Sequence, residues 1–243
     1  MMVLKKGVVF AASFAAAVML VAAGADVSKA ASAANGEKLY QQNCAVCHGD
    51  KGQGRGGPMG WFTGGGGETT DLIGNQLNNQ TFLAMASDEY LAGTIKKGRP
   101  GRPMPGWEDQ LSDSQIEDII AFLRTWQEVP GIALNPNPVW GNPEDGKVLF
   151  RGNCGACHGY NGEGTDFGPA LNNQVFLDLA SDDFIRQTII RGRAGTVMKP
   201  FLKGSDLAVT ELDPYQINDI VAFIRTWDKN ATSKLEPWLL EAK

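Results

Sequence analysis

Every cysteine and every histidine of this chain lies in one of two pentapeptides of the same form, Cys44-Ala45-Val46-Cys47-His48 and Cys154-Gly155-Ala156-Cys157-His158. Four Cys and two His are used up in this way. None is left for a disulfide elsewhere, a separate zinc cluster, a thiol nucleophile, a histidine general base or a site with two histidine ligands. The fold must be built around these two stations.

The stations sit in a duplicated sequence. Gly36–Tyr40 before the first motif corresponds to Gly146–Phe150 before the second, and Asn78–Leu83 to Asn172–Leu177. Ala86–Tyr90 corresponds to Ala180–Phe184, Gly98-Arg99 to Gly192-Arg193, Met104 to Met198, and Ala121–Trp126 to Ala222–Trp227. So many shared positions in one order indicate duplication of a whole domain. A length of 243 residues accommodates two small domains, each with a core. We place them at residues 34–128 and 143–229. The first copy carries extra Gly-rich sequence after its motif, including Gly64–Gly67, as a surface-loop insertion. Residues 129–142 hold Pro130, Pro136, Pro138 and three Asn, and read as a semi-rigid linker. Residues 230–243 form a C-terminal tail with Trp238.

Residues 1–25 differ from the rest. Lys5 and Lys6 precede an uncharged apolar run over 7–24, followed by the small residues Ala23-Gly24-Ala25. The segment reads either as a secretory signal peptide that is removed or as an N-terminal membrane anchor that is kept. Both readings put the remainder in the periplasm, soluble in the first case and tethered to the inner membrane through residues 7–24 in the second. The net charge of −5 excludes a nucleic-acid partner, which needs a basic footprint.

The local signals are helical, with no convincing strand. Ser112 and Gln115 form a capping box before Ile116, Ile119, Ile120, Leu123 and Trp126, and Asp213, Pro214 and Gln216 do the same in the second copy. Ser87 and Ser181 each open a helix with acids in its first turn, and Gly98 and Gly192 stand where those helices should stop. The fold class is all-α. Apolar side chains alone look thin for two such cores, and a large flat apolar cofactor would fill each one.

The motif supplies that cofactor. Two thiols at this spacing add to the two vinyl groups of one haem, and the adjacent His lies under the iron as proximal ligand. Two covalently bound haem c groups are expected, one on Cys44 and Cys47 with iron on His48, the other on Cys154 and Cys157 with iron on His158. A redox CxxC pair would instead need a thioredoxin-like strand pattern, which is absent.

On these residues each copy resembles a class I cytochrome c domain, and the chain resembles the dihaem cytochromes c of bacterial periplasms. The resemblance implies a first helix ending in the motif, a last helix with aromatics crossing it, and an axial Met in a loop shortly before that last helix. Gly36 and Gly146 would allow the close crossing, with Tyr40 or Phe150 packed near Trp126 or Trp227. Met104 and Met198 hold the axial position, so each iron would be His/Met ligated, which favours the reduced state and a fairly high potential. Met59 competes in the first copy but comes too early, and Met85 has helical core spacing. The family's Pro, whose carbonyl takes the His ring proton, is present as Pro169 but the first copy reads Gly74-Asn75-Gln76-Leu77; a backbone carbonyl could still serve there, but the first site is expected to be the more irregular. Lys96, Lys97, Arg99 and Arg102 cluster before Met104, and Arg186, Arg191, Arg193 and Lys199 around Met198. They form either a basic rim that steers redox partners or, mostly, a solvated face, with Arg99 and Arg193 as candidates for the haem propionates.

The function these features imply is electron transfer between periplasmic or membrane redox partners, without an enzyme activity of its own. The partners would be a quinol-oxidising membrane complex, an oxidase, a reaction centre or a periplasmic dehydrogenase. The alternative is a haem subunit held permanently in such a complex. A dihaem peroxidase or thiosulfate-oxidising enzyme fits less well, because no spare His or Cys exists for an unusual ligand.

Overall fold

Each half begins with a helix whose start is capped and whose end carries the motif. In the computed structural model of the protein, which describes residues 30–54, 72–206, 208 and 210–230, α1 (Ala33–Asn43) starts where the Ser32 side chain accepts from the Asn35 N–H. Its counterpart α6 (Pro143–Asn153) starts on Asn142 with Pro at its first position. Cys44 and Cys154 end these helices, and single turns follow directly as α2 (Ala45–His48) and α7 (Gly155–His158). The apolar N-terminal run, the Gly-rich insertion with Met59 and the tail after Asn230 lie outside the described residues.

Two short helices come next, α3 (Gln80–Met85) in the first half and α8 (Gln174–Leu179) in the second, capped by Asn79 and Asn173. Helices α4 (Asp88–Lys97) and α9 (Asp182–Arg191) follow, each with a Ser cap and two acids in the first turn, where they complement the helix dipole. Gly98 and Gly192 end them at φ values of 62° and 65°, a conformation that favours glycine. The closing helices α5 (Asp113–Arg124) and α10 (Pro214–Arg225) both open on the capping boxes read from the sequence. The described residues hold ten helices and one isolated bridge between Leu202 and Leu212.

The first and last helices of each half cross at a glycine. A Cβ on Gly36 would collide with the Asp118 carbonyl, and one on Gly146 with the Asp219 carbonyl. Below each crossing an aromatic cluster closes the core. Tyr40 is fully buried, edge-on to Trp126 at 5.2 Å and 86°, and Phe150 meets Trp227 at 5.2 Å and 81°. The last helix is also tied to the α3–α4 corner. Arg124 donates to the carbonyls of Leu83 and Ala86 and pairs with Asp88, and Arg225 does the same with Leu177, Ala180 and Asp182.

The described residues from Ala31 onward form one unit in which the two halves pack together. Helix α3 meets α9, and α4 meets α8. Because α3 is the repeat of α8 and α4 of α9, these contacts are images of one another, as in an isologous dimer interface. Tyr90 and Phe184 are equivalent residues and stack on each other there, centroids 4.8 Å apart at 26°. Gly93 lets α4 approach α8, since a Cβ on it would run into the Leu179 side chain. The segment 129–142 is irregular but anchored: Ile132 N–H donates to Ala84 O at 2.6 Å, Asn135 N–H to Asp183 at 2.9 Å, Val139 N–H to Asp182 at 2.8 Å, and Asn142 N–H to Asp219 at 2.7 Å.

Candidate functional site

The helical turn that follows the first cysteine sets the geometry of each motif. It brings the second cysteine back over the first and projects the histidine from the end of the turn, with His48 N–H and His158 N–H both bonded to the first cysteine's carbonyl at 2.9 Å. None of the four cysteines forms a disulfide, and burial pushes the Cys44 thiol up to about 11 and the Cys154 thiol up to about 12, with the neighbouring thiol adding to the effect. Among the described residues no group of three or more His, Cys, Asp or Glu could hold a metal ion.

Each imidazole is held by one backbone carbonyl. His48 Nδ1 lies 2.8 Å from Asn75 O, and His158 Nδ1 lies 2.9 Å from Pro169 O. A carbonyl only accepts, so Nδ1 carries the proton and the lone pair is on Nε2. Burial lowers the pKa of both rings, partly offset by these same bonds, which keeps them neutral. The expectation of an irregular first site is therefore corrected: the ring needs an oriented carbonyl, and Asn75 supplies one as Pro169 does. The preceding glycine makes this possible. A Cβ on Gly74 would come within 2.6 Å of His48 Nδ1, and one on Gly168 within 3.0 Å of the His158 ring. The first site remains the more open, with His48 half-buried and His158 only 9% exposed. Tyr40 adds a bond that Phe150 cannot make, its hydroxyl donating to Gly49 O at 2.6 Å beside His48.

Met104 and Met198 occupy equivalent loops. Arg99 N–H donates to Met104 O at 2.9 Å, and Arg193 N–H donates to Met198 O at 2.7 Å, so each loop is closed on its methionine. Both sulfur-bearing residues are half-buried. Met85 is in the core at 2% exposure, as its spacing predicts.

The two arginines are not alike. Arg99 Nη2 reaches Tyr90 OH at 3.2 Å and Thr94 Oγ1 at 3.0 Å, and Nη1 reaches Gly98 O at 3.1 Å. Arg193 Nη2 reaches Thr188 Oγ1 at 3.0 Å, and its guanidinium lies over Phe82 and Phe184 at 5.5 and 5.6 Å. Its Nη1 is sealed from solvent without a partner, and burial lowers its pKa to about 10. A buried cation without an anion is costly. Of the other clustered basic residues, Lys96 pairs with Asp113 at 2.8 Å and Arg186 binds Asn218 at 3.0 Å. Lys97, Arg102 and Lys199 are exposed.

Sequence comparison agrees with this architecture. Residues 31–123 match the family model for cytochrome c oxidase, cbb3-type, subunit III, and residues 143–228 match the model for cytochrome c. The chain is a tandem pair of cytochrome c domains. It is similar to the cbb3-type cytochrome c oxidase subunit FixP of Bradyrhizobium sp. (strain ORS 278), with 26% identity over 226 residues, 86% of this chain and 68% of that protein. The subunit CcoP of Azospirillum brasilense is 28% identical over 196 residues, 76% of this chain and 61% of that protein. The chain thus spans 61% to 68% of the length of these two relatives. A chain of the reducing HAO-like protein complex of Kuenenia stuttgartiensis aligns with a TM-score of 0.47 at 20% identity, covering 80% of this chain and 96% of that one.

Two cytochrome c domains carry two covalently bound haem c groups, and the site residues fit them. Each motif offers paired thiols beside an imidazole whose Nε2 is free to bind iron. Gly74 and Gly168 leave room for the backbone against the ring. Arg193 Nη1 lacks an anion, which a propionate would be. Asn79 and Asn173, the caps of α3 and α8, were not singled out from the sequence. The repeated Asn-Asn-Gln stretches at 78–80 and 172–174 were the available signal.

Proposed function

We propose that this dihaem cytochrome is an electron-transfer protein in which His48 and Met104 ligate the first iron and His158 and Met198 the second. Cys44 and Cys47 hold the first haem and Cys154 and Cys157 the second. When bound, each haem supplies a one-electron couple at its iron. The polypeptide fixes the ligands in both oxidation states. The carbonyls of Asn75 and Pro169 hold the Nδ1 protons and so aim Nε2, as outer partners do for metal-bound histidines. The backbone bonds from Arg99 and Arg193 hold the methionine loops closed. Arg193 is the stronger propionate candidate, because its Nη1 is buried without a partner, whereas the three bonds of Arg99 are to neutral groups.

The observation that carries this reading is the sameness of the two sites. The ring-to-carbonyl and arginine-to-methionine bonds recur in both halves despite the change of Asn75 for Pro169, so the duplicated site has kept its imidazole and methionine geometry in both copies. A redox titration of the purified protein with spectra of both states tests it. Two high-potential, low-spin haems are expected, and an open iron at either site contradicts it.

The relatives favour a second level of this proposal, that the cytochrome works as a haem subunit of a cbb3-type oxidase rather than as a free carrier. On that reading the domains face the periplasm and the apolar run at 7–24 is a membrane tether. No helix among the described residues is long and apolar enough to cross a membrane. Extraction separates the two readings: a subunit leaves membranes only in detergent and co-purifies with the oxidase, and a free carrier is released by salt.

A further inference from the structure

We propose that each half of the molecule positions the axial methionine of the other, through Asn79 acting on the Met198 loop and Asn173 acting on the Met104 loop. This rests on the assignment of Met104 and Met198 as ligands.

The geometry is reciprocal. Asn79 Nδ2, on a residue 5% exposed, donates to Ala194 O at 2.7 Å, and Asn173 Nδ2 donates to Pro100 O at 3.0 Å. Ala194 follows Arg193 and Pro100 follows Arg99, so each asparagine grips the first residue inside the loop that closes on the opposite half's methionine. Behind Ala194 the loop is tight. Arg193 O accepts from Thr196 N–H at 3.0 Å and from its hydroxyl at 2.8 Å, and Met198 N–H donates to Thr196 Oγ1 at 3.1 Å. A displacement at Ala194 is therefore passed on to Met198 by hydrogen bonds rather than absorbed by slack chain.

The grip is prepared beforehand. Asn79 Oδ1 accepts the Phe82 N–H as the cap of α3, and Asn173 Oδ1 accepts the Phe176 N–H as the cap of α8. The cap fixes each side chain with its amide turned toward the neighbouring half. Gln76 Oε1 accepts a second bond from Asn79 Nδ2 at 2.9 Å and adds to the orientation.

The two clamps are unequal in a way the sequence explains. Ala194 N–H also donates to Thr81 Oγ1 at 3.3 Å, and Phe82 lies under the Arg193 guanidinium. In the reverse direction Thr81 becomes Val175, which has no hydroxyl, and Ala194 becomes Pro100, which has no N–H. Donor and acceptor are lost together, so neither is left unsatisfied. The Met198 loop is hydrogen-bonded by two side chains of the first half, and the Met104 loop by one of the second. The Met104 loop compensates with Pro100, Pro103 and Pro105, whose rings restrict it.

The test is displacement of methionine by imidazole in the oxidised full-length protein, followed through the weak far-red band of methionine bound to ferric iron. In a Met104→Ala background the band belongs to the second haem, and in a Met198→Ala background to the first. Asn79→Ser keeps a capping oxygen but is too short to cross the interface. With Met104→Ala it should lower the imidazole concentration that bleaches the band by about threefold to tenfold, the effect of one hydrogen bond. With Met198→Ala it should change nothing. Asn173→Ser should show the opposite pattern and a smaller effect. Thr81→Val, which copies the second half, should act like Asn79→Ser but more weakly. An Asn79→Ser effect confined to the first haem, or absent at both, overturns the clamp. If Met104→Ala or Met198→Ala leaves the band at full strength, the ligand assignment fails and takes the clamp with it, a result distinct from loss of the clamp alone.

Discussion

At the scale of single residues, the second half differs from the first by one buried charge. Arg193 places a guanidinium between Phe82 and Phe184 with Nη1 sealed, and Arg99 satisfies itself on Gly98, Tyr90 and Thr94. Reduction adds an electron to the iron, so a nearby cation stabilises the reduced form. Arg193→Gln should lower the midpoint of the second haem by about 60 mV, a tenfold shift for one electron, with a smaller change from Arg99→Gln, both read by redox titration. Asn75 makes the opposite case, a residue whose side chain is dispensable. Only its carbonyl meets His48, so Asn75→Pro, which copies Pro169, should leave haem attachment intact by intact mass. Gly168→Ala should reduce it, because the added methyl reaches the His158 ring. The two haem-binding motifs were legible from sequence, because they use up every His and Cys of the chain. The adequacy of Asn75 was not legible, because a carbonyl belongs to every residue and its direction depends on the loop.

At the scale of helices, the closing helix carries the tie that holds the corner between α3 and α4, or α8 and α9. Arg225 and Asp182 are 18% and 17% exposed at the side chain, and the same arginine also caps two carbonyls. Arg225→Met leaves those carbonyls without their donor and Asp182 with only the Val139 N–H, and should cost about 3 kcal/mol, read as a lower denaturant midpoint of the holoprotein. The helices themselves were well marked. Ser87, Ser112, Ser181 and Asp213 all cap where the sequence places them, and Gly98 and Gly192 terminate as expected. Helices α3 and α8 were only faintly marked, by the helical spacing of Met85 and the asparagine caps, because six residues show less than two turns of periodicity. The arginine tie was equally hidden, since Arg124 and Arg225 reach back more than forty residues to backbone carbonyls, which no side-chain pattern marks.

At the scale of the whole molecule, a duplicated chain has folded back on itself as a pseudo-dimer. The repeat was plain in the sequence, but the way its copies meet was not, because the interface uses residues such as Tyr90, Gly93, Leu179 and Phe184 that would serve equally well inside either domain. Linker bonds to Asp182, Asp183 and Asp219 make the joint stiffer than its proline content alone implies. Gly93→Trp should oppose docking of α4 on α8 by about 1–3 kcal/mol, increasing the radius of gyration in solution scattering while both haem spectra persist. Electron transfer through this molecule depends on two irons, each held between an imidazole and a thioether. The far-red band of the oxidised protein, calibrated against total haem, measures this directly. Two methionine-bound irons per chain are expected, and a band of one-haem strength, or none, would contradict the assignment.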